Sequence, residues 1–262
     1  MKKDTSWGKS AKWYDELLEK EEGTFQKELI LPNLIRLLEI KRGQKILDLA
    51  CGQGFFARAF QKAGAEVTGV DIAKELVAIA KGKSPSFALR ATEGRDSSIK
   101  YHVSPADRMP FLRPRSFDRI VSVLAIQNIE NMRDVFAECT RVLRPSGSLY
   151  LVLNHPAFRV PQHSDWGYDN TKGVQYRRVE RYLSELHIPI QMHPGADPRE
   201  KTLSFHRPLQ SYAKALASAG FAIARIEEWN SHKKSQPGPH AKAEDLARKE
   251  IPLFLLIEAK KV

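Results

Sequence analysis

Four residues in the first third of the chain have the types and spacing to hold a cofactor: Asp48, Gly52, Gly54 and Asp71. The first three lie in "KILDLACGQGFFARAF", residues 45–60, which reads as a buried strand, a glycine turn and the start of a helix. Gly52 and Gly54 let the backbone turn sharply and come close to a ligand. Residues 52–57, Gly-Gln-Gly-Phe-Phe-Ala, fit the dinucleotide fingerprint G-x-G-x-x-G/A. Asp71 ends the next strand, 17 residues beyond Gly54, where it can accept hydrogen bonds from both ribose hydroxyls of an adenosine. To this point a nicotinamide cofactor and S-adenosylmethionine fit equally well.

Asp48 separates the two. A dinucleotide brings a pyrophosphate to the turn and helix start, and a carboxylate there repels it. S-adenosylmethionine carries no phosphate; its ammonium and sulfonium are attracted by a carboxylate. An acid four residues before the first glycine suits that ligand.

The elements that must position these residues follow a regular rhythm. Residues 10–40 have helical apolar spacing, broken at Gly23, with Pro32 opening a new helix after a bend. Strands follow at "KILDLA", "EVTGVDI", "IKYHV", "FDRIVSVLAI" and "SLYLVLN", with helices at "GFFARAFQKA", "AKELVAIAKGK" and "MRDVFAECTRVL". "RPSG" is the turn that stops the last of these helices. Such alternation predicts an α/β fold with a doubly wound, largely parallel sheet and helices on both faces. The rhythm stops at 155–205, rich in Pro, His, Tyr and Arg, and resumes with the helix "PLQSYAKALASAG" and the strand "FAIARIEEW". A polar loop through "SHKKSQPGPHAKAEDLARKE" then leads to a final strand, "IPLFLLIEAK". The expected organisation is one domain: a helical lid over 1–40, a cofactor core over 41–154, a substrate-side insertion over 155–205, and the rest of the sheet over 206–262.

Bulk composition narrows the class. The 262 residues are 42% hydrophobic, ordinary for a globular chain, and no apolar run is long enough to cross a bilayer. The opening "MKKDTSWGKS" has no apolar segment behind its lysines, which predicts no secretory signal. Two cysteines make no disulfide framework, so a reduced, cytoplasmic protein is expected. The formal charge of +11 admits an anionic partner such as nucleic acid, yet the basic residues are scattered without a block, which favours a solvated basic surface.

The motifs, in order, resemble those of the class I S-adenosylmethionine-dependent methyltransferases over nearly the whole chain. "ILDLACGQG" is similar to their first motif, Asp71 in "VTGVDIA" to the acid closing their second strand, and "SPADRMPF" to their adenine-binding segment. "SFDRIVSVLAIQNIENM" and "RVLRPSGSLYLVL" look like their fourth and fifth strands with adjoining turns. The resemblance implies a Rossmann-like seven-stranded sheet with an antiparallel last strand. Within the group, "KWYDELLEK" and "FHRPLQSYAKALASAGF" resemble the lid and penultimate helices of the small-molecule enzymes of ubiquinone and menaquinone biosynthesis. By that resemblance S-adenosylmethionine is the cofactor, S-adenosylhomocysteine its product, and Asp48 holds the methionine amino end. Asp71 takes the ribose, Asp107 the adenine amino group, and Trp13 and Tyr14 close over the methionine. Ala50, Cys51, Ile72, Ala106 and Arg108 complete the cofactor set, with Cys51 packing as a small residue.

On the acceptor side the expectations are looser. Methyl transfer needs alignment, exclusion of water and, for a hydroxyl or protonated amine, a base. "LNHPAFR" at 153–159 follows the fifth strand and resembles the Asn-Pro-Pro-Phe/Tyr motif of amino-group methylases, though that motif follows the fourth strand. His155 is the candidate base, with a strand-end cap as its bland alternative. Asn154 and Phe158, and Gln127 and Asn128 after the fourth strand, are candidate acceptor contacts. Tyr176 and Arg177 in "YRRVERYLSEL", with His206, are candidates to grip an aromatic or anionic small molecule, or form a wet face of a helix or strand pair. Five histidines (155, 163, 187, 193 and 206) lack compact ligand spacing, so no metal is expected. The rivals to small-molecule methylation are an RNA or protein methyltransferase, a nicotinamide-dependent reductase, and a silent S-adenosylmethionine-binding module.

Overall fold

A computed structural model describes residues 7–83, 98–191 and 201–262. In chain order it contains α1 (Ala11–Lys20), α2 (Leu31–Leu38), β1 (Lys45–Leu49), α3 (Phe55–Lys62), β2 (Glu66–Asp71), α4 (Lys74–Lys83) and β3 (Lys100–Val103). There follow β4 (Phe117–Val123), α5 (Met132–Val142), β5 (Leu143–Asn154), β6 (Ser164–Asp169), β7 (Val174–Val179), β8 (Leu186–Gln191) and β9 (Lys201–His206). The chain closes with α6 (Leu209–Ser218), β10 (Phe221–Trp229), α7 (Ala241–Glu250) and β11 (Phe254–Lys261).

Seven strands form one sheet in the order β10-β11-β5-β4-β1-β2-β3. β1, β2, β3, β4 and β5 pair in parallel, and β11 lies antiparallel between β5 and β10. The near-continuous apolar runs of β5 and β11 reflect cover on both faces. Leu149, Leu151, Leu153, Leu255 and Ile257 pack on one face with α5 and α6, whereas Tyr150, Val152, Phe254 and Leu256 pack on the other with α2 and α3. Period-two alternation thus feeds two cores rather than one core and solvent.

From β1 the chain steps to β2 and β3 on one side, then crosses back to β4 on the other. β1 is therefore the switch point, and Asp48 stands near its carboxyl end with Gly69 and Val121 as neighbours. Ligands of open α/β sheets enter there.

Three local expectations need correction or refinement. No bend precedes Pro32: a π-helical turn, Gln26–Ile30, runs straight into α2, where Pro32 is the second residue. The stretch read as a polar loop before the last strand contains α7. Only Ala247 of that helix is buried, so it has no apolar stripe to read; good helix formers carry it instead. "RPSG" is counted within β5, but the register with β4 passes from Phe117–Leu143 to Arg119–Ser148, so these residues loop out as a turn, with Ser146 at φ 61°.

Between β5 and α6 lie two antiparallel hairpins, β6–β7 and β8–β9. The first turns on Asp169, whose Oδ1 accepts the amides of Thr171 and Lys172.

Candidate functional site

The loop after β1 has a left-handed residue at every second position: Ala50 at φ 57°, Gly52 at 54° and Gly54 at 81°. The turn is closed by the Gly54 amide donating to the Cys51 carbonyl at 3.0 Å and tied to β2 by the Cys51 amide donating to Val70 at 3.0 Å. Asp71 fixes it from the side. Its Oδ2 accepts the Gly52 amide and its Oδ1 the Ala73 amide, each at 2.8 Å. Burial raises the Asp71 pKa against these bonds.

Beneath the turn Asp48 is 2% exposed, and its Oδ2 has no hydrogen-bond partner. Burial, and then the neighbouring Asp71 charge, push its carboxyl up to about 7, although the Ala57 amide opposes this. Two more acceptors on the same cavity wall are likewise buried without a donor: Gln127 Oε1 and Asn128 Oδ1, in the short 3₁₀ turn after β4. The Gln127 amide nitrogen is spent on the Leu124 carbonyl. An array of buried acceptors lacking donors is satisfied by ordered water or by a ligand rich in donors or positive charge.

These groups border a cavity of about 1040 Å³. Tyr14, Asp48, Ala50, Cys51, Gly52, Asp71, Ile72, Ala106, Asp107, Arg108, Gln127, Asn128, Asn154 and Arg177 all line it. Ile72 is 52% exposed there, an apolar surface beside the Asp71 carboxylate. Asp107 Oδ2 accepts from Asn131 at 3.3 Å. Cys51 is buried, with its thiol raised by burial and by Asp48 and Asp71, and it packs where any Cβ on Gly69 would strike its sulfur.

α1 closes one side. Tyr14 lies over the turn, its Cε1 3.4 Å from where a Cβ on Gly52 would stand. Burial and the Asp71 and Asp48 charges keep its hydroxyl protonated. Trp13 does not line the cavity; Trp7 does, meeting Tyr14 edge-on at 5.7 Å. The helix is strapped down by Glu19, which pairs with Arg58 of α3, accepts from Gln53 at 3.3 Å and meets Lys83 of α4 at 3.3 Å.

Five expected residues stand elsewhere. His155 is 4% exposed and outside the cavity wall, so it does not sit where a base would act. Its Nε2 bonds Glu228 Oε1 at 2.7 Å and its Nδ1 accepts the Ala157 amide at 3.2 Å, a strand-end cap with both nitrogens engaged. Burial lowers its pKa, partly offset by Glu228. The Phe158 ring packs on His155 at 4.7 Å, away from the cavity. Tyr176 is exposed and lies against Gly167 across the hairpin. His206 is buried, its Nε2 on the Tyr182 carbonyl at 2.8 Å, and it borders a smaller hollow that adjoins the cavity at Glu130, Asn131 and Asp134. Gly54 does not reach the wall either; a Cβ there would come within 2.4 Å of the Tyr101 hydroxyl, so its glycine serves packing. Among the described residues no three His, Cys, Asp or Glu side chains converge as metal ligands, and His193 lies outside them.

Conversely, Arg159, the last residue of the "LNHPAFR" stretch, lines the cavity without any signal in its local sequence. Ser164 and Ile190, from the hairpins, line it too. β6, "SDWGYD", carries no apolar rhythm, whereas β8, "LHIPIQ", has period-two spacing at Leu186, Ile188 and Ile190 that Pro189 obscures.

Comparison with known proteins agrees with this geometry. Residues 47–151 match the methyltransferase domain family. A crystal structure of an S-adenosylmethionine-dependent methyltransferase from Mesorhizobium loti superposes with a TM-score of 0.67 and 28% identity, over 91% of this chain and all of that one. The likeness is to the S-adenosylmethionine-dependent methyltransferases. Demethylmenaquinone methyltransferase from Tropheryma whipplei is 30% identical over 122 residues, 46% of each chain. Ubiquinone biosynthesis O-methyltransferase from Photobacterium profundum is 30% identical over 116 residues, 44% of this chain and 46% of that protein. The chain thus matches about half the length of these curated relatives. No described helix is long and apolar enough to cross a membrane.

Proposed function

We propose that this chain transfers the methyl group of S-adenosylmethionine to an O, N or C nucleophile of a small molecule. The observation that carries this reading is the buried, partnerless Oδ2 of Asp48 beneath a glycine turn. That oxygen is an acceptor site for the methionine ammonium and a barrier to a diphosphate. Asp71 keeps a lone pair for a ribose hydroxyl, since its carboxylate has about four acceptor positions and the Gly52, Ala73 and Ile72 amides act on it. Asp107 takes the adenine amino group, with Ile72, Ala106 and Arg108 flanking the adenosine.

The cofactor, when bound, supplies an electrophilic methyl on a sulfonium whose leaving group departs neutral. What this chain adds is alignment and dryness. Trp7 and Tyr14 shield the turn from water, and the Gln127 and Asn128 oxygens orient a donor on the acceptor. None of the described cavity-lining residues is a histidine, so proton removal from a hydroxyl or ammonium acceptor falls to solvent or to a lining carboxylate.

The described residues of 7–40 and of 155–205 act as lid and acceptor wall around the described part of the 41–154 core. The quinone-pathway names of the relatives support a small, ring-bearing acceptor. Two buried, unpaired cysteines support a reducing, cytoplasmic setting. A melting assay tests the cofactor reading: S-adenosylhomocysteine should raise Tm and NADH should not. The reverse pattern removes the methyltransferase assignment.

A further inference from the structure

The cavity is electrically lopsided. Asp48, Asp71, Asp107, Glu130 and Asp134, with Arg108 the one cation among them, line the part of the wall that β1, β2, the loops after β3 and β4 and the first turn of α5 supply. Arg159 and Arg177 line the part supplied after β5 and by β7. Among the described residues no carboxylate lies within ion-pair distance of either guanidinium. Asp165, beyond that distance, acts on Arg177 as an opposite charge, and Arg159 feels Arg177 as a like charge. Partial desolvation in the cavity lowers the pKa of both, although the Arg159 side chain is exposed and Arg177 half-buried.

Arg177 is held rigidly. Its Nε donates to the Phe158 carbonyl at 2.9 Å, its Nη2 donates to Ser164 Oγ at 2.8 Å, and its guanidinium lies 5.1 Å from the Trp166 ring centre. Three of its five N–H donors remain. The Arg159 side chain makes no hydrogen bond to any described residue, so all five of its donors remain. Two guanidiniums that feel each other as like charges on one cavity wall, Arg159 exposed to it and Arg177 half-buried, are matched by an anionic guest.

The geometry points to an oxyanion site: the methyl acceptor carries a carboxylate or phosphate that Arg159 and Arg177 grip, leaving its nucleophile toward Gln127 and Asn128. This rests on the methyltransferase reading and names the acceptor class within it. The acidic end takes the cationic cofactor and the basic end the anionic acceptor, so the two ligands cannot exchange places.

The test uses the full chain saturated with S-adenosylhomocysteine, titrated calorimetrically with 3,4-dihydroxybenzoate, phenyl phosphate and neutral catechol. At least one anion should bind about tenfold or more tightly than catechol, and the ratio of the two anions tells carboxylate from phosphate. Arg159→Gln, which breaks no hydrogen bond of the fold, should erase that preference, and Arg159→Lys should restore part of it. Equal binding of anion and catechol, no anion binding at millimolar concentration, or an Arg159→Gln variant that keeps the preference overturns the inference. So does an Arg159→Gln variant with wild-type Tm and about tenfold weaker S-adenosylhomocysteine binding, because the arginine then serves the cofactor's own carboxylate. Failure of the wild type to bind S-adenosylhomocysteine at all counts instead against the methyltransferase reading.

Discussion

Asp71 and Gly52 are joined across the switch point: the carboxylate Oδ2 accepts the glycine amide at 2.8 Å while Oδ1 takes Ala73. One acid therefore shapes the turn and faces the ribose position. Asp71→Asn replaces one acceptor by an N–H that confronts a backbone donor. We expect a stability loss of about 1–3 kcal/mol by denaturant titration and S-adenosylhomocysteine binding weaker by about a hundredfold. Asp71→Ala should be at least as severe. Wild-type affinity in either variant would remove Asp71 from the ribose site.

Asp48 makes cofactor binding pH-dependent. Its folded carboxyl holds a proton up to about 7, because of burial and then Asp71, whereas an unfolded aspartate releases it near 3.9. Between these values the folded state binds more protons, so the ligand-free protein loses stability as pH rises from about 4 to about 7. Asp48→Asn should flatten that decline. The ligand's ammonium pairs with the ionised form, so binding at about pH 6 should expel close to one proton, and at about pH 8.5 almost none. Calorimetry in buffers of different ionisation heat reads this directly; no release at the lower pH sinks the ammonium assignment.

The two turn glycines should respond differently to alanine. At Gly54 a Cβ would meet the Tyr101 hydroxyl at 2.4 Å and its ring at 3.0 Å, besides the strain of φ 81°. At Gly52 the nearest atom is Tyr14 Cε1 at 3.4 Å, so strain at φ 54° is the main cost. Gly54→Ala should therefore lose more stability, about 2–4 kcal/mol against about 1–2 kcal/mol. Gly52, which lines the cavity, should show the larger loss of S-adenosylhomocysteine affinity per kcal/mol of stability lost. A reversed order in thermal melts would contradict the packing argument.

The cofactor half was legible because its signals are local. A buried strand ending in Asp48, glycines at left-handed positions and an acid closing β2 are dictated by backbone sterics and charge over about thirty residues. The acceptor half depends on contacts far apart in sequence. His155 and Arg159 stand in one heptapeptide, yet Glu228, 73 residues on, draws the histidine out of the cavity. Arg177 is aimed by Phe158 and Ser164. Nothing in "YRRVERY" reveals that Arg177 reaches the wall while Tyr176, its neighbour on a strand, faces away; the alternation becomes readable only once β7 is known to be a strand. α7 escaped for the opposite reason, being a helix of propensity with almost no buried face.

His155 provides the sharpest contrast between a structural and a chemical role. With Nδ1 accepting from Ala157, the ring carries its proton on Nε2 and donates to Glu228, which is a neutral tautomer fully used. Its pKa is lowered by burial, so the unfolded state takes up a proton first as pH falls through about 6.5. The sign follows: this group's share of stability is present above that pH and lost below it. His155→Ala should cost about 1–3 kcal/mol by leaving a buried amide without an acceptor and opening space beside Phe158. Because Asp48 drives stability the other way over part of the range, the contribution is read as wild type minus variant across pH. Methyl transfer by the folded variant should keep kcat within a few-fold, and its pH profile should gain or lose no limb near neutrality. A stable His155→Ala protein whose kcat falls by about a hundredfold or more would return the imidazole to the chemistry.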